Sequence, residues 1–540
     1  MFISITIVLV NVLALSVAKN LPQVGANNAE LGAQYWTDFS RIALQEAYQS
    51  KPVLNRAKNV ILFLGDGMGV STITPSRILK GQLRNHTGEE ARLAFDDFPY
   101  TSLIKTYNVD YQVPDSAGTA TAFMCGVKTN KGVLGVTGRV ARGETDCELV
   151  HKNSVSSILK WALDSGRSAG IVTTTRVTHA TPAGGYASVA NREWEAWIPY
   201  QSNTQSNKCK DIARQLVENE PGANLSVILG GGRRYFLPDH QTDGPNGEKG
   251  LRIDGQNMID KWLQQKRESG LPDHRYRYVD SRQKLAAVDY SRTDYLFGLF
   301  NGDHMSYDRE RDATIEPSIE EMTDAAIRVL RKNANGFVLL VEGGRIDHAH
   351  HENHGVMALH ETVAFDRAVE LAVRSVNLDE TLVVVTADHS HSLTMNGYPK
   401  RGTDIRGING NHDDNGVPFT TLMYGNGPGY QHDRVDPSTV NTSNISDLKY
   451  RNVAAIPLVS AHHGGEDVAL YAIGPMAHLF RGTQEQSYVA HSMAFAACIG
   501  QFKNSDYDHC NRSSSATNIS TTFFSSYLII SFIFISFQLI

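Results

Sequence analysis

Four short apolar runs, each ending in polar side chains, constrain the fold of this 540-residue chain more than any other feature. An uninterrupted apolar run is typical of a strand buried on both faces, as in a parallel sheet covered by helices. Helical periodicity at 154–164, 319–332 and 356–376 supplies the crossover connections that parallel strands need. The runs occupy residues 60–64, 169–173, 337–341 and 382–386.

This pattern predicts an α/β fold with a central, mainly parallel β-sheet flanked by helices on both faces. In open sheets of this kind the ligand site lies beyond the carboxyl ends of the strands. We therefore expect polar side chains that are far apart in sequence to meet at one edge of the sheet. Those that follow the four runs are Asp66, His179, Thr181, Glu342, Asp347, Asp388, His389 and His391.

Two stretches depart from the alternation of strands and helices. The segments at about 235–315 and about 397–462 are rich in glycine, proline and polar residues, so they are predicted to be an accessory lobe and a crown-like insertion. A predicted amphipathic helix at about 30–50 has one face to bury against the body or a partner. Residues 19–512 are expected to form one elaborated domain.

Both ends of the chain are apolar and are predicted to be removed during maturation. Residues 1–18 combine a short apolar run with small residues up to Ala18, which is typical of a cleaved signal peptide. Residues 513–540 combine small residues, a polar spacer and an apolar tail without basic residues after it, which is typical of a GPI-attachment signal. We expect export through the ER to the outer face of the plasma membrane, with attachment at Ser513, Ser514 or Ser515.

Export also permits disulfides and glycans. Cys147 and Cys209 are able to close a long loop and Cys498 and Cys510 a short one, with Cys125 left over as a buried thiol, although sequence alone does not fix these pairings. Four sequons are candidate glycosylation sites, at Asn85, Asn224, Asn441 and Asn444.

The segment 113–121 contains the candidate nucleophile, Ser116. Pro114 and Asp115 end the preceding segment, and the small residues after Ser116 begin a helix, so the hydroxyl and free backbone N–H groups face the same space. A serine in this position is also an ordinary helix N-cap. The choice between the two roles depends on what else converges on Ser116.

Carboxylates and histidines at the predicted strand ends and helix starts form a candidate metal set. Asp347 and His351 are four residues apart on a predicted helix, so both point the same way. Nitrogen and oxygen ligands of this kind suit Zn²⁺, and a corner of carboxylates with a hydroxyl suits Mg²⁺. Divalent ions beside one serine indicate phosphoryl transfer. His391 is expected to orient a carboxylate from behind the ligands.

Six motifs, in order along the chain, resemble those of the animal alkaline phosphatases of the GPI-anchored, membrane-bound type. Together they extend over about residues 30–500 and are specific to that family. The motifs are Asp66-Gly-Met-Gly, Asp115-Ser-Ala-Gly-Thr-Ala-Thr, His179-Ala-Thr-Pro-Ala, Glu342-Gly-Gly-Arg-Ile-Asp-His, Thr386-Ala-Asp-His-Ser-His and His463-Gly-Gly-Glu-Asp.

The resemblance implies two Zn²⁺ and one Mg²⁺ per subunit. Arg192 would hold the phosphate, and His179 and His348 would assist. Asp115 and His391 would orient the residues that contact the ions or the substrate without contacting them directly. The implied ligands are Asp347, His351 and His463 for the first zinc, Asp66, Asp388 and His389 for the second, and Asp66, Thr181 and Glu342 for magnesium.

The resemblance further implies hydrolysis of a broad range of phosphate monoesters through a phosphoserine at Ser116. Ionisation of a metal-bound water or serine is favoured at high pH, which accords with an alkaline optimum. The family also implies a homodimer, to which Tyr398 and the helix at about 30–50 would contribute.

Two positions depart from the mammalian members. Those enzymes hold a further Ca²⁺ with carboxylates where this chain has Asn301 after Phe300 and Glu316 before Pro317, and the loss of one carboxylate argues against that ion. Thr181 stands where they have serine, but it retains the hydroxyl that Mg²⁺ requires.

Three other functions compete with this interpretation. A sulfatase would need Cys or Ser in a C/S-x-P-x-R context, which Ser116 lacks. A related phosphodiesterase and a surface-anchored binding or receptor ectodomain with weak or no activity stay open as alternatives. The net charge of -6, without a run of Lys and Arg, argues against a nucleic-acid partner.

Overall fold

The computed structural model describes residues 28–198, 209–243, 248–433 and 445–511. The predicted signal peptide, the sequons at Asn441 and Asn444 and the predicted GPI signal with Ser513 lie outside these ranges. Within them, no helix combines the length and apolar character that crossing a bilayer requires.

The strands form one large sheet and several small ones. The four predicted apolar runs all lie in strands of the large sheet, and their side chains are almost completely buried. In chain order the strands are β1 Asn59–Gly65, β2 Tyr100–Lys105, β3 Ser168–Arg176, β4 Val227–Gly231, β5 Thr242–Asp243, β6 Glu248–Lys249, β7 Tyr276–Val279, β8 Tyr295–Leu299, β9 Phe337–Gly343, β10 Thr381–Ala387, β11 Ser390–His391, β12 Leu393–Met395, β13 Ile408–His412, β14 Pro418–Thr420, β15 Leu422–Gly427, β16 Ala454–Pro457, β17 His463–Gly464, β18 Val468–Ile473 and β19 Gly482–Glu485.

The large sheet has ten strands in the order β19-β2-β18-β10-β1-β9-β3-β4-β8-β7. Among these ten, β18 alone runs antiparallel to its neighbours, so the prediction of a mainly parallel sheet is confirmed. In the central register Gly65 lies beside both Ala387 and Gly343, and Thr173 lies beside Glu342. The carboxyl ends of β10, β1, β9 and β3 are therefore level, and the residues after them start from one edge.

The helices connect and cover these strands. The predicted helix at 154–164 begins only at Ile158, because the Ser157 hydroxyl accepts the Lys160 N–H and caps the helix there. The α-helices in chain order are α1 Ala33–Gln49, α2 Val70–Gln82, α3 Ser116–Cys125, α4 Cys147–Lys152, α5 Ile158–Asp164, α6 Ala180–Ala183, α7 Ile212–Glu218, α8 Met258–Glu268, α9 Arg282–Ala286, α10 Ile319–Leu330, α11 Arg345–His351, α12 Gly355–Ser375, α13 Ser487–Ala497 and α14 Asp508–Asn511.

Small sheets lie in or directly beside the stretches predicted as insertions. Strands β12, β15 and β16 form a three-stranded sheet and β13 pairs with β14, all between the end of β11 and the start of β17. Strands β5 and β6 form a short hairpin in the first of these stretches. The boundaries of the two insertions stay predictions.

Helix α1 has no buried residue, and Leu31 just before it is 87% exposed. Disulfides join Cys147 to Cys209 and Cys498 to Cys510, and Cys125 is a free, buried thiol. The sequon residues Asn85 and Asn224 are both exposed.

Candidate active site

The candidate nucleophile lies at the start of α3. Asp115 caps this helix, because its side chain accepts the Gly118 N–H at 3.2 Å, so the Ser116 hydroxyl is not needed as a cap. Ser116 is nearly buried, and its Oγ lies 3.2 Å from His389 Nε2. The serine therefore faces the side chains that follow β10.

The first group of possible metal ligands follows β1 and β10. Asp66 and Asp388 are fully buried, and both carboxylates approach His389 Nε2, at 3.5 and 3.1 Å respectively. Gly67 has a positive φ of 68° and turns its N–H toward Asp388 Oδ1 at 3.1 Å. This turn explains how two neighbouring strand ends present their carboxylates to one point.

The second group combines a helix with a short strand pair. Asp347 and His351 lie one turn apart on α11, with His351 Nε2 3.2 Å from Asp347 Oδ2. Strands β11 and β17 are antiparallel and place His391 opposite His463. Asp347 Oδ1 lies 3.3 Å from His391 Nε2 and 3.5 Å from His463 Nε2, so three imidazoles meet around one carboxylate.

The histidines of both groups are oriented for metal binding. The Nδ1 atoms of His351, His389 and His463 lie 2.5, 3.1 and 2.8 Å from the carbonyl oxygens of Ala461, Ser390 and Pro114. A ring whose Nδ1–H is donated to a carbonyl has its Nε2 lone pair free as a ligand. All three free nitrogens point toward the carboxylates.

The third group lies between β3, β9 and β1. Glu342 at the end of β9 accepts a hydrogen bond from Thr175 Oγ1 at 3.1 Å, and Thr173 also donates to the same carboxylate oxygen. Thr181 in α6 is fully buried, and its hydroxyl lowers the pKa of Glu342. Asp66, His179 and Glu342 offer ligand atoms within 4.8 Å of one another.

Several of these buried atoms lack a partner that the protein itself provides. Both oxygens of Asp66 and Oε1 of Glu342 are buried without a hydrogen bond to the described residues. Burial, with a contribution from Asp388, raises the pKa of Asp66 well above its usual range, and burial raises that of Glu342 to about 7. Unsatisfied oxygens and clustered negative charge fit bound divalent cations.

Arg192 faces the same space from the segment after α6. Its Nη1 donates to Asp115 Oδ2 at 3.2 Å, and its Nη2 lies 3.0 Å from His179 Nε2. Asp115 also accepts N–H groups from Gly118 and Gly132, which fixes the carboxylate. A guanidinium held in this way keeps further N–H groups for a phosphate.

The site includes side chains that the sequence reasoning did not name. His304 packs against His348 with ring centroids 4.2 Å apart, and Thr173 and Thr175 position Glu342. The Thr173-Thr-Thr run at the end of an apolar segment was a usable signal for the threonines. His304 lies in a polar loop, and no pattern around it indicates that it meets His348.

At Asn301 and Glu316, where the mammalian enzymes were described above as holding a further Ca²⁺, the remaining carboxylate accepts hydrogen bonds from protein groups. Asn301 Nδ2 donates to Glu316 Oε1 at 2.7 Å. Ser306 adds its N–H and its hydroxyl to the same carboxylate, at 2.9 and 2.8 Å. Glu316 is therefore held by three protein donors, and the expectation that this chain lacks the further Ca²⁺ stays a prediction.

The sequence comparisons identify relatives over most of the chain. The family model described as "Alkaline phosphatase" matches residues 57–499, more than half of the chain. The tissue-nonspecific alkaline phosphatase of Felis catus is 47% identical over 494 residues, which cover 90% of this chain and 92% of that protein. The membrane-bound alkaline phosphatase of Bombyx mori is 48% identical over 479 residues, which cover 87% of this chain and 86% of that protein.

Solved structures share the fold at lower identity. The alkaline phosphatase of the Antarctic bacterium TAB5 aligns with a TM-score of 0.56 and 22% identity, over 83% of this chain and 100% of that one. The Thermus thermophilus alkaline phosphatase aligns with a TM-score of 0.58 and 24% identity, over 84% of this chain and 94% of that one. The family match and the relatives show that this chain belongs to the alkaline phosphatase family.

Proposed function

We propose that this phosphomonoesterase uses two Zn²⁺ and one Mg²⁺ to hydrolyse a broad range of phosphate monoesters through a phosphoserine at Ser116, with an alkaline optimum. One observation carries the proposal: three groups of ligand side chains from separate strand ends converge beside a single buried serine hydroxyl. Ligand histidines and carboxylates are all present, which disfavours a receptor with an inactive site.

The donor sets fit the ions that the family implies. Asp347, His351 and His463 would hold one zinc; Asp66, Asp388 and His389 the other; and Asp66, Thr181 and Glu342 magnesium. Bound in these positions, the ions would neutralise the buried carboxylates, favour the ionised serine and stabilise charge on the leaving oxygen.

The residues of the chain bind the phosphate and carry the covalent step. Ser116 gives its proton to solvent and its Oγ attacks phosphorus; the bond between phosphorus and the ester oxygen breaks, and that oxygen leaves with the electron pair as an alkoxide that takes up a proton from solvent. Arg192 donates N–H groups to the phosphoryl oxygens while Asp115 holds its guanidinium in place. A water oxygen then attacks phosphorus as the water loses a proton to solvent, the bond between phosphorus and Oγ breaks, and Oγ takes up a proton, which releases phosphate and restores Ser116.

Replacement of the serine tests this mechanism. Ser116→Ala is expected to lower turnover of 4-nitrophenyl phosphate by at least about a thousandfold while zinc and magnesium contents stay near those of the wild type. Ser76→Ala removes another fully buried serine hydroxyl, one without a hydrogen-bond partner among the described residues, and is expected to retain activity. Undiminished turnover in Ser116→Ala would contradict the covalent mechanism. An aryl sulfate and a phosphodiester, assayed in parallel, measure the competing activities.

We also propose that the mature protein is GPI-anchored at Ser513 or one of the next two serines, after removal of residues 1–18. The apolar C-terminal segment supports this location, as does the name of the Bombyx mori relative. Asn85, Asn224, Asn441 and Asn444 are the proposed glycan sites. Release from membranes by a phosphatidylinositol-specific phospholipase tests the anchor, and a protein that stays bound after complete digestion would contradict it.

A homodimer is the proposed assembly. Helix α1 has no buried residue in the single chain, and Tyr398 is 93% exposed. Apolar side chains in such positions are typical of a surface that a second copy covers. Sedimentation of the intact ectodomain and of a form lacking residues up to Gln49 tests this assignment. A monomeric intact ectodomain would contradict it.

A further inference from the structure

A group of basic side chains extends outward from the phosphate-binding arginine. We call Arg176, His304, Arg345 and His348 the outer basic cluster. The His348 ring lies 4.2 Å from the His304 ring and 5.3 Å from the His179 ring, and His179 in turn lies 3.0 Å from Arg192. The imidazole of His179 therefore lies between the outer basic cluster and Arg192.

The two arginines of the outer basic cluster differ in how they are neutralised. Arg176 binds Glu195 through two nitrogens, at 2.9 and 2.7 Å, and Asp303 through a third at 2.7 Å. Arg345 has no ion pair with any carboxylate that the structure describes, and its Nε is buried without an acceptor. One positive charge beside the active site is thus left without a carboxylate partner among the described residues.

Arg345 is nevertheless held in a fixed position. Its Nη1 lies 2.9 Å from His348 Nδ1, and its guanidinium carbon lies 3.8 Å from the centre of the Tyr307 ring. Glu361 is close enough to interact electrostatically, but it accepts the Asp308 N–H at 2.6 Å instead. A rigid guanidinium with unused donors is prepared for an anionic oxygen group.

The neighbouring histidine adds to the excess of donors. His304 faces the Arg176 N–H with Nδ1 at 3.2 Å and the Arg176 guanidinium with Nε2 at 2.6 Å. A neutral imidazole accepts a hydrogen bond at only one of its two nitrogens. The other nitrogen of His304 therefore carries an N–H that faces an N–H group of Arg176. His179, His304 and His348 do come within 4.8 Å of one another, yet the adjacent arginines favour an anion over a metal cation here.

We propose that the outer basic cluster is a subsite for a second anionic group carried by the substrate, a carboxylate or a further phosphate close to the transferred one. Arg345 supplies the charge, and His304 and His348 align it. This inference rests on the proposed phosphomonoesterase function and predicts preference for phosphate substrates that carry a second anionic group over those of the same size that carry an uncharged group there.

Two near-isosteric substrates, phosphoglycolate and ethyl phosphate, test the subsite together with pyrophosphate. Phosphoglycolate carries a carboxylate where ethyl phosphate has a methyl group, and pyrophosphate carries a second phosphate. With the zinc- and magnesium-loaded enzyme, Arg345→Gln is expected to lower the ratio of kcat/KM for phosphoglycolate or pyrophosphate over that for ethyl phosphate by about tenfold. Arg345→Lys should restore part of the ratio, which a purely structural role of the side chain would not predict.

Arg331→Gln is the matched control, since it removes the same charge from an exposed residue between α10 and the start of β9, at the opposite edge of the sheet. Its ratio should equal that of the wild type. Loss of preference for phosphoglycolate alone assigns the subsite to carboxylates, and for pyrophosphate alone to phosphates. An unchanged ratio in Arg345→Gln overturns the subsite, whereas a wild-type enzyme that cleaves none of the three phosphate compounds overturns the proposed function instead.

A second measurement avoids any effect of the substitution on metal content. In 3-phosphonopropionate and propylphosphonate a methylene group replaces the bridging oxygen, so they are non-hydrolysable counterparts of phosphoglycolate and ethyl phosphate. The wild-type enzyme should bind 3-phosphonopropionate more tightly than propylphosphonate as a competitive inhibitor, by about tenfold at low ionic strength, with the difference shrinking as salt is added. Equal inhibition constants in the wild type would also refute the subsite.

Discussion

Replacement of Arg192 by lysine tests whether phosphate binding depends on the positive charge alone or also on the planar arrangement of the guanidinium N–H groups. Two of the five guanidinium N–H groups face Asp115 and His179, so each terminal nitrogen keeps one hydrogen for the phosphoryl group. Lysine retains the charge but not the planar pair of donors. The variant should therefore lose at least one charge-assisted hydrogen bond to phosphate.

The magnitude follows from the value of such a bond. A hydrogen bond to a charged group contributes about 1.5–3 kcal/mol, and 1.4 kcal/mol corresponds to a tenfold change. Arg192→Lys is thus expected to lower kcat/KM for 4-nitrophenyl phosphate by roughly 10- to 100-fold. The inhibition constant of inorganic phosphate should rise in the same direction, because the ground state uses the same donors.

Steady-state kinetics at saturating Zn²⁺ and Mg²⁺, with metal content measured on each preparation, provide the assay. Arg142→Lys is the control, since Arg142 is exposed and only approaches Glu193 at 3.9 Å. That variant should stay within about twofold of the wild type. A value of kcat/KM for Arg192→Lys within threefold of the wild type, at normal metal content, would refute the reasoning that two donors bind the phosphate.

Two further predictions concern a turn and an ion cluster. In Gly67→Ala the new Cβ would lie 3.2 Å from Asp347 at a φ of 68°, so zinc retention and activity should fall. Gly143→Ala is the control: its φ of 85° imposes a similar backbone strain of about 1–2 kcal/mol, but the new Cβ would have no atom within 4 Å. Glu218 is partly buried, which raises its pKa, but Lys261, Arg214 and Lys210 lower it to about 2. Glu218→Gln should therefore destabilise the fold by about 1–3 kcal/mol above pH 4.5, and urea unfolding should show the difference vanish as pH falls toward 2; a pH-independent difference would contradict the cause.

The fold was predictable from the sequence wherever burial produces a pattern. Strands β1, β3, β9 and β10 are covered on both faces, so their apolar runs are continuous and their polar successors stand out. Strand β18 shows the limit of this signal, because its direction depends on how the chain returns to the sheet and not on its composition. The start of α5 was also missed, since a serine at 154 and a serine at 157 look alike until one of them caps the helix.

The candidate ligands were predictable for a related reason. Residues directly after parallel strands share an edge, so Asp66, Glu342 and Asp388 were expected to meet without knowledge of the register. His304 was not, because it reaches His348 from a loop whose path no periodicity records. Contacts between a loop and a helix depend on tertiary packing that single-sequence reasoning does not capture.

The position of His463 shows how the insertion after β11 is tied to the site. Strand β17 pairs with β11, and this pairing sets His463 opposite His391 and brings its Nε2 to Asp347. The segment between the two strands contains β12 to β16, and its last residues also touch the site, because the Ala461 carbonyl lies against His351 Nδ1. Tyr398 lies near the other end of this segment and is exposed, so a substitution there leaves both the strand pair and the Ala461 contact in place.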